Sequence, residues 1–311
     1  MKVLVTGANG FVGKHLVSAL VERGHRVFAC MRQGNDLFDG PVTNMIFDMY
    51  DREMLYEAIA GSEPDGIVHL AAQSSVSDAW HDPTNTLRMN AEGTIALVDI
   101  VRRLAPKAKV VTVGSGEEYG WAGKEGELLA EERGCQPQNP YAISKFAAGQ
   151  LALQLAARSG LNVIHARPFN HFGPGQRQGF VVSDFASQIA DIEKAVAPPF
   201  IRIGNLTASR DFTDVRDIAE AYVRLLETEV PSGIYNICSE KPVAIREILD
   251  RLLSHAQVPI AIETDPSRLR GPEVPVFAGS ARKLSQATGW KPARPFETSL
   301  LETLEWWRAK R

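Results

Sequence analysis

Cysteine is scarce in this 311-residue chain: Cys30, Cys135 and Cys238 are all there are, and their spacing fits no metal motif. A sparse, odd count argues against a disulfide scaffold and for a reducing compartment, and no metal is expected. No apolar run approaches the ~20 residues that span a bilayer. The N-terminus has no charged region followed by an apolar stretch and a small-residue cleavage site, and opens directly on a strand-like run. The expectation is a cytoplasmic protein with no membrane partner. Neither sign of charge dominates, since 34 basic and 37 acidic residues leave a formal net charge of −3. That balance speaks against nucleic acid or an anionic membrane as partner. Internal repeats, low-complexity segments and flexible linkers are absent too. With 44% hydrophobic and 23% charged residues, disorder and collagen-like architecture are excluded. The length suits one large domain or two that share a core.

What is there is a regular alternation. Val3-Leu4-Val5, Val27-Phe28-Ala29, Ile67-Val68-His69-Leu70, Val110-Val111-Thr112-Val113 and Val163-Ile164 are short β-rich runs, each separated from the next by a helical stretch or a loop. Phe11 to Glu22 has helical spacing. This pattern predicts a parallel sheet with helices on both faces, and right-handed crossovers make a doubly wound α/β fold the simplest topology. Further helices are expected near Val181 to Lys194, Val215 to Glu229, Ile245 to His255 and Leu300 to Arg308. The expected division is a dinucleotide-binding domain over residues 1–166, with later segments near 205–237 returning to it, and a smaller α/β substrate-binding domain formed mainly by residues 167–311.

Gly7-Ala8-Asn9-Gly10-Phe11-Val12-Gly13 lies between the first strand and the first helix. Glycines there permit a tight turn and let backbone N–H groups approach a pyrophosphate, which the helix N-terminus attracts. The GxxGxxG spacing resembles the extended short-chain dehydrogenase/reductase superfamily, over essentially the whole chain, and implies a Rossmann fold. The resemblance implies that Asp48, with Met49 beside it, meets the adenine, that Leu70, Ala71 and Ala72 line the cofactor cleft, and that Asn90 kinks or braces a central helix at the cofactor site. Pro168 falls in the same set. At the end of the second strand an acidic residue would favour NAD. Here Ala29-Cys30-Met31-Arg32-Gln33 has no acid before Asp36, and Arg32 offers a charge-assisted contact to a 2′-phosphate. NADP(H) is therefore favoured, with NAD(H) open.

Tyr141-Ala142-Ile143-Ser144-Lys145 follows Asn139-Pro140 at a helix start. Four residues of helix place the tyrosine and lysine on one face. The ammonium is expected to lower the tyrosine pKa, letting the phenol exchange a proton with a sugar oxygen. The resemblance gives Ser115, after the Val110–Val113 strand, a hydrogen bond to the same substrate oxygen, and gives Lys145 the nicotinamide ribose.

Ala166-Arg167-Pro168-Phe169-Asn170-His171-Phe172-Gly173-Pro174-Gly175-Gln176, Ser209-Arg210-Asp211-Phe212-Thr213-Asp214-Val215 and Arg270-Gly271-Pro272-Glu273-Val274 resemble nucleotide-sugar-modifying enzymes of the GDP-mannose branch. That implies a GDP-linked 4-keto-6-deoxy sugar as partner. Arg210 and Arg270 are then expected on the diphosphate, Asn170 and the helix opening at Phe180-Val181 supply donors, and Glu273 accepts from ribose hydroxyls. The Ser115-Gly116-Glu117 pattern resembles the reductases, which bring NADPH to the C4 ketone of GDP-4-keto-6-deoxy-D-mannose and form GDP-6-deoxy-D-mannose (GDP-D-rhamnose). Glu117 supplies a base that keeps 4,6-dehydratase activity open. The 6-deoxy-D-talose-forming reductase and a nucleotide-sugar 4-epimerase remain alternatives. A non-catalytic dinucleotide sensor is disfavoured because Ser115, Tyr141 and Lys145 are all present. The resemblance also implies a homodimer pairing through segments near Thr84–Leu104 and Tyr141–Ala157.

Overall fold

The computed structural model describes residues 1–32, 38–123, 127–266 and 274–310. Asp36, Arg270 and Glu273 lie outside the described residues. Along the first half run β1 (Lys2–Thr6), α1 (Phe11–Glu22), β2 (Arg26–Met31), β3 (Val42–Ile46), α2 (Arg52–Ser62), β4 (Gly66–His69), α3 (Val76–His81) and α4 (Pro83–Leu87). A π-helical turn (Arg88–Glu92), α5 (Gly93–Leu104), β5 (Lys109–Val113), a 3₁₀ turn (Gly116–Tyr119), α6 (Pro140–Ser159) and β6 (Asn162–Pro168) follow. The second half comprises β7 (Asn170–Phe172), α7 (Val181–Glu193), β8 (Phe200–Ile203), β9 (Ser209–Asp214), α8 (Val215–Glu227), β10 (Gly233–Ile237), β11 (Pro242–Ala244), α9 (Ile245–Ser254), β12 (Ala261–Thr264), β13 (Val276–Phe277), α10 (Arg282–Thr288) and α11 (Phe296–Lys310).

The large sheet is seven-stranded in the order β10-β6-β5-β4-β1-β2-β3, and every pairing in it is parallel. This is the doubly wound Rossmann arrangement. Its central strands are apolar on both sides because both sides are covered. Leu16 and Leu20 of α1 and Ile218, Leu225 and Leu226 of α8 bury one face. Leu55 and Ile59 of α2, Leu97 and Val101 of α5, and Ala152 and Ala156 of α6 bury the other. The order reverses beside β1, so the carboxyl ends of β1 and β4 open the crevice where such sheets bind ligands.

Local chemistry sets the helix ends. Asp51, Ser75, Asp82, Asn139 and Asp214 each cap a helix N-terminus with a side-chain oxygen. Pro140 then takes the first position of α6, where its missing N–H costs nothing. A second core gathers Phe172, Phe185, Ile189, Ile248, Leu252, Leu304 and Trp307 from β7, α7, α9 and α11. Two small sheets flank it: β11-β9-β13 with β7 on β9, and β12-β8. Between those segments α8 packs beside α1, and β10 rejoins the large sheet next to β6.

Candidate active site

The nucleotide end is built on close backbone approach. Gly7 has a φ of +68°, and a Cβ there would stand 2.8 Å from the Ala71 backbone nitrogen. Gly13 lies so near the turn that a Cβ would come 2.4 Å from the carbonyl oxygens of Gly7 and Ala8. The Gly10 N–H donates to the Gly7 carbonyl over 3.0 Å. Gly10 then opens α1 with no side-chain cap and no acid in the first turn. Its leading N–H groups and positive dipole end thus remain open to an anion. Asn9, Phe11 and Val12 stand half-buried around the turn, and Leu70, Ala71 and Ala72 are half-buried beyond β4. The Ala71 N–H donates to Thr6 Oγ1 at 3.2 Å. Arg32 is largely exposed at the end of β2, with Nε 3.5 Å from Asp48 Oδ2. Met49 and Pro168 are buried. Turn, open helix start and arginine together fit a dinucleotide carrying a 2′-phosphate.

Asn90 sits in the π-helical turn. It is buried, its Oδ1 accepts from the Gln73 N–H at 2.8 Å, and its Nδ2 donates to the Gln73 carbonyl and Ser144 Oγ, both at 3.0 Å. The amide is fully engaged and braces the loop after β4 against α6.

At the carboxyl end of β5, Ser115 caps the 3₁₀ turn and its Oγ accepts from the Glu117 N–H at 3.1 Å. The Ser115 side chain is near enough to the Tyr141 phenol to favour its ionised form. Lys145 is buried one turn along α6 and donates through Nζ to the Val113 carbonyl at 2.8 Å. Glu117 is half-buried and receives Asn139 Nδ2 at 3.3 Å. Serine, tyrosine and lysine thus come together, with Glu117 facing the phenol.

The expected depression of the tyrosine pKa is corrected by the structure. Burial pushes the Tyr141 phenol above its ordinary value; the Ser115 side chain works against this, and the charges of Glu117 and Glu118 add to it. Desolvation and two nearby carboxylates outweigh an ammonium that is turned toward Val113. Burial lowers Lys145 to about 8, against the opposing charge of Glu118.

Glu118 escaped the sequence reading. It has no solvent exposure. Its Oε1 accepts from the Ser115 N–H at 2.9 Å and lies 3.0 Å from His165 Nε2, while Oε2 accepts from Arg167 Nε at 2.8 Å. The signal in the sequence was weak: two charged or polar residues, His165 and Arg167, interrupt an otherwise apolar strand. Phe169 packs on the same turn, and a Cβ on Gly116 would stand 3.0 Å from its ring.

Of the residues expected on the sugar nucleotide, Asn170, Phe180, Val181 and Arg210 are among those described. Asn170 begins β7 half-buried. Phe180 and Val181 open α7, which has no side-chain cap, and the Gly179 N–H is taken by Asp184 at 2.7 Å. Arg210 Nη1 donates to the carbonyls of Ser209 at 2.9 Å and Val274 at 2.8 Å. The loop after β7 closes on the nucleotide turn. His171 stacks on Phe11 with ring centroids 6.1 Å apart, and His15 Nε2 lies 3.0 Å from the Pro174 carbonyl.

The chain is similar in sequence and fold to known nucleotide-sugar enzymes. The sequence model of a family described as GDP-mannose 4,6 dehydratase matches residues 4–303. The GDP-6-deoxy-D-mannose reductase of Pseudomonas aeruginosa is 36% identical over 309 residues, 99% of this chain and 98% of the relative. A GDP-6-deoxy-D-talose 4-dehydrogenase of Aggregatibacter actinomycetemcomitans is 28% identical, covering 93% of this chain and 92% of its own. Among solved structures, RMD from Pseudomonas aeruginosa complexed with NADPH superposes with a TM-score of 0.87 at 34% identity over 99% of both chains.

Proposed function

The chain belongs to the GDP-mannose 4,6-dehydratase family of extended short-chain dehydrogenases/reductases, and from that premise we propose that it reduces the C4 ketone of GDP-4-keto-6-deoxy-D-mannose to GDP-6-deoxy-D-mannose. It is a nucleotide-sugar oxidoreductase; the particular reaction is our reading. The observation that carries it is the gathering of Ser115, Tyr141 and Lys145 at the carboxyl end of β5, with burial holding the phenol in its neutral form. A neutral phenol is an acid, which is what reduction of a ketone requires of the protein.

NADPH, when bound, supplies the hydride to C4. Gly7, Gly10, Gly13 and the open start of α1 would hold its pyrophosphate, and Arg32 its 2′-phosphate. Tyr141 gives its Oη proton to the C4 oxygen as negative charge develops there. Ser115 Oγ polarises that oxygen, an electrostatic contribution whose loss costs ~10²-fold in comparable sites. Lys145 holds the nicotinamide ribose and supplies positive charge. Arg210 and the N-terminal end of α7 would take the diphosphate.

A second reading rests on Glu117, whose carboxylate faces Tyr141. A base in that position suits removal of the C5 proton in a 4,6-dehydratase. We also infer a homodimer, because Leu87 of α4 and Ile143 and Leu151 of α6 leave large apolar side chains exposed.

The test is NADPH consumption by the purified protein given GDP-4-keto-6-deoxy-D-mannose, with Tyr141→Phe alongside. Wild-type turnover that falls by about 10²-fold or more in the variant supports the reading. Absence of wild-type turnover overturns it, and GDP-mannose with NADP⁺ then tests the dehydratase.

A further inference from the structure

We propose that Glu118 is a positioning residue of this site, its buried carboxylate fixing Ser115 through the backbone and setting a permanent negative charge beneath Tyr141 and Lys145. The inference rests on the catalytic reading of Tyr141 and Lys145 given above.

The space for this carboxylate is built. A Cβ on Gly114 would stand 2.1 Å from Glu118 Oε1 and 2.4 Å from His165 Nε2. A Cβ on Gly149, one turn beyond Lys145 on α6, would stand 2.3 Å from His165 Nε2. Glycine just after β5 and glycine on α6 therefore open one pocket, and His165 and Glu118 fill it from β6 and the 3₁₀ turn. The floor is bonded as well. Thr112 Oγ1 lies 3.0 Å from His165 Nδ1, and the Arg167 guanidinium lies over the Tyr119 ring, 4.9 Å from its centroid. Tyr119 Oη donates to Asn236 Oδ1 at 2.9 Å.

A carboxylate with no exposure survives only if its oxygens are satisfied. Three donors do so here, and one of them is the N–H of Ser115 itself. Ser115 is thereby gripped twice: its N–H by Glu118 and its Oγ by the turn it caps. The titratable groups facing Lys145 are Glu118 and, at the end of β4, His69. Tyr141 precedes Lys145 on the same helix and faces Ser115, Glu117 and Glu118. Glu118 in turn faces His165 and Arg167, and Tyr119 and Cys135 lie near that arginine. Burial holds His69 near 3, so it stays neutral. Among the described residues, Glu118 is then the carboxylate that opposes desolvation of the Lys145 ammonium.

Glu118→Gln keeps the shape and removes the charge. The cofactor's own fluorescence reports its binding between pH 6 and 10, using whichever of NADPH and NADH binds. In the wild type, binding weakens as Lys145 loses its proton near 8. In Glu118→Gln the midpoint is expected to move down by about one pH unit, and turnover at pH 7 to fall on the order of 10- to 100-fold. Glu118→Asp keeps the charge but draws back from Ser115, so kcat should fall while the midpoint stays. An unchanged midpoint in folded Glu118→Gln overturns the proposal. If that variant does not fold, Glu118→Leu/Arg167→Met removes the charge without stranding the arginine, and the same midpoint decides. Should the wild type bind cofactor yet leave the sugar unreduced, the functional reading fails while the binding titration still judges Glu118.

Discussion

Asn90 Nδ2 donates to Ser144 Oγ over 3.0 Å, and that hydroxyl in turn donates to the Tyr141 carbonyl over 2.7 Å. One buried amide thus connects the π-helical turn, the loop after β4 and the helix that carries the tyrosine. The π-turn lets Asn90 face both at once, a use such bulges often have near functional sites.

That link predicts a coupled loss. Asn90→Ala removes the partner of the Gln73 backbone N–H and carbonyl and the donor to Ser144 Oγ, at a cost of about 1–3 kcal/mol. Ser144→Ala should cost less, since its neighbours keep Gln73. The double variant should depart from additivity by roughly 0.5 kcal/mol or more. Denaturant unfolding of the four proteins measures this, and strict additivity would dissolve the proposed connection.

The second prediction concerns alkaline pH. Lys145 acts as an ammonium, and burial brings it to about 8. The protonated form is present below that value and lost above it, so kcat/KM should fall as pH rises through about 8. Tyr141 is held above its ordinary range, so its neutral form persists beyond that point and the lysine sets the limb. A profile flat to pH 10 would contradict the assignment.

Cofactor choice is expected to turn on Arg32. Its guanidinium is exposed and held loosely by Asp48 at 3.5 Å, free to swing onto a 2′-phosphate. A hydrogen bond to a charged group contributes about 1.5–3 kcal/mol. Arg32→Ala should therefore lower kcat/KM for NADPH roughly 10- to 100-fold and leave NADH nearly unaffected. Equal losses with both cofactors would remove the arginine from the phosphate.

Acid stability follows from His69. Burial, with a smaller contribution from Lys145, lowers it from 6.5 to about 3, and its Nδ1 lies 2.7 Å from Thr6 Oγ1. The folded state holds this imidazole neutral, whereas the unfolded chain protonates it near 6.5. The unfolded state therefore binds more protons between these values, and stability falls as pH drops below about 6.5. The slope from this residue approaches 1.4 kcal/mol per pH unit. Urea unfolding at pH 7.5, 6 and 5 should show His69→Gln losing that part of the slope.

Much of this molecule is written locally. The strands were legible because a sheet covered on both faces needs continuous apolar runs, and α1 was legible over its whole length from Phe11 to Glu22. The glycine turn and the Tyr141–Lys145 spacing are local too, since backbone approach and one turn of helix are matters of a few residues. Two neighbouring acids mark where that ends. Glu117 and Glu118 are equivalent in the sequence, yet Glu117 stays half-buried and takes Asn139 while Glu118 is sealed in the core. The difference arises because Ser115 caps a 3₁₀ turn that directs residue 118 inward, where parallel pairing of β5 and β6 has brought His165 and Arg167 from almost 50 residues away. The direction of the Tyr141 shift was decided the same way, by desolvation and charges delivered from other elements. Residue spacing determines which groups share a helix face; only the packed tertiary structure determines which charges lose their water and what stands opposite them.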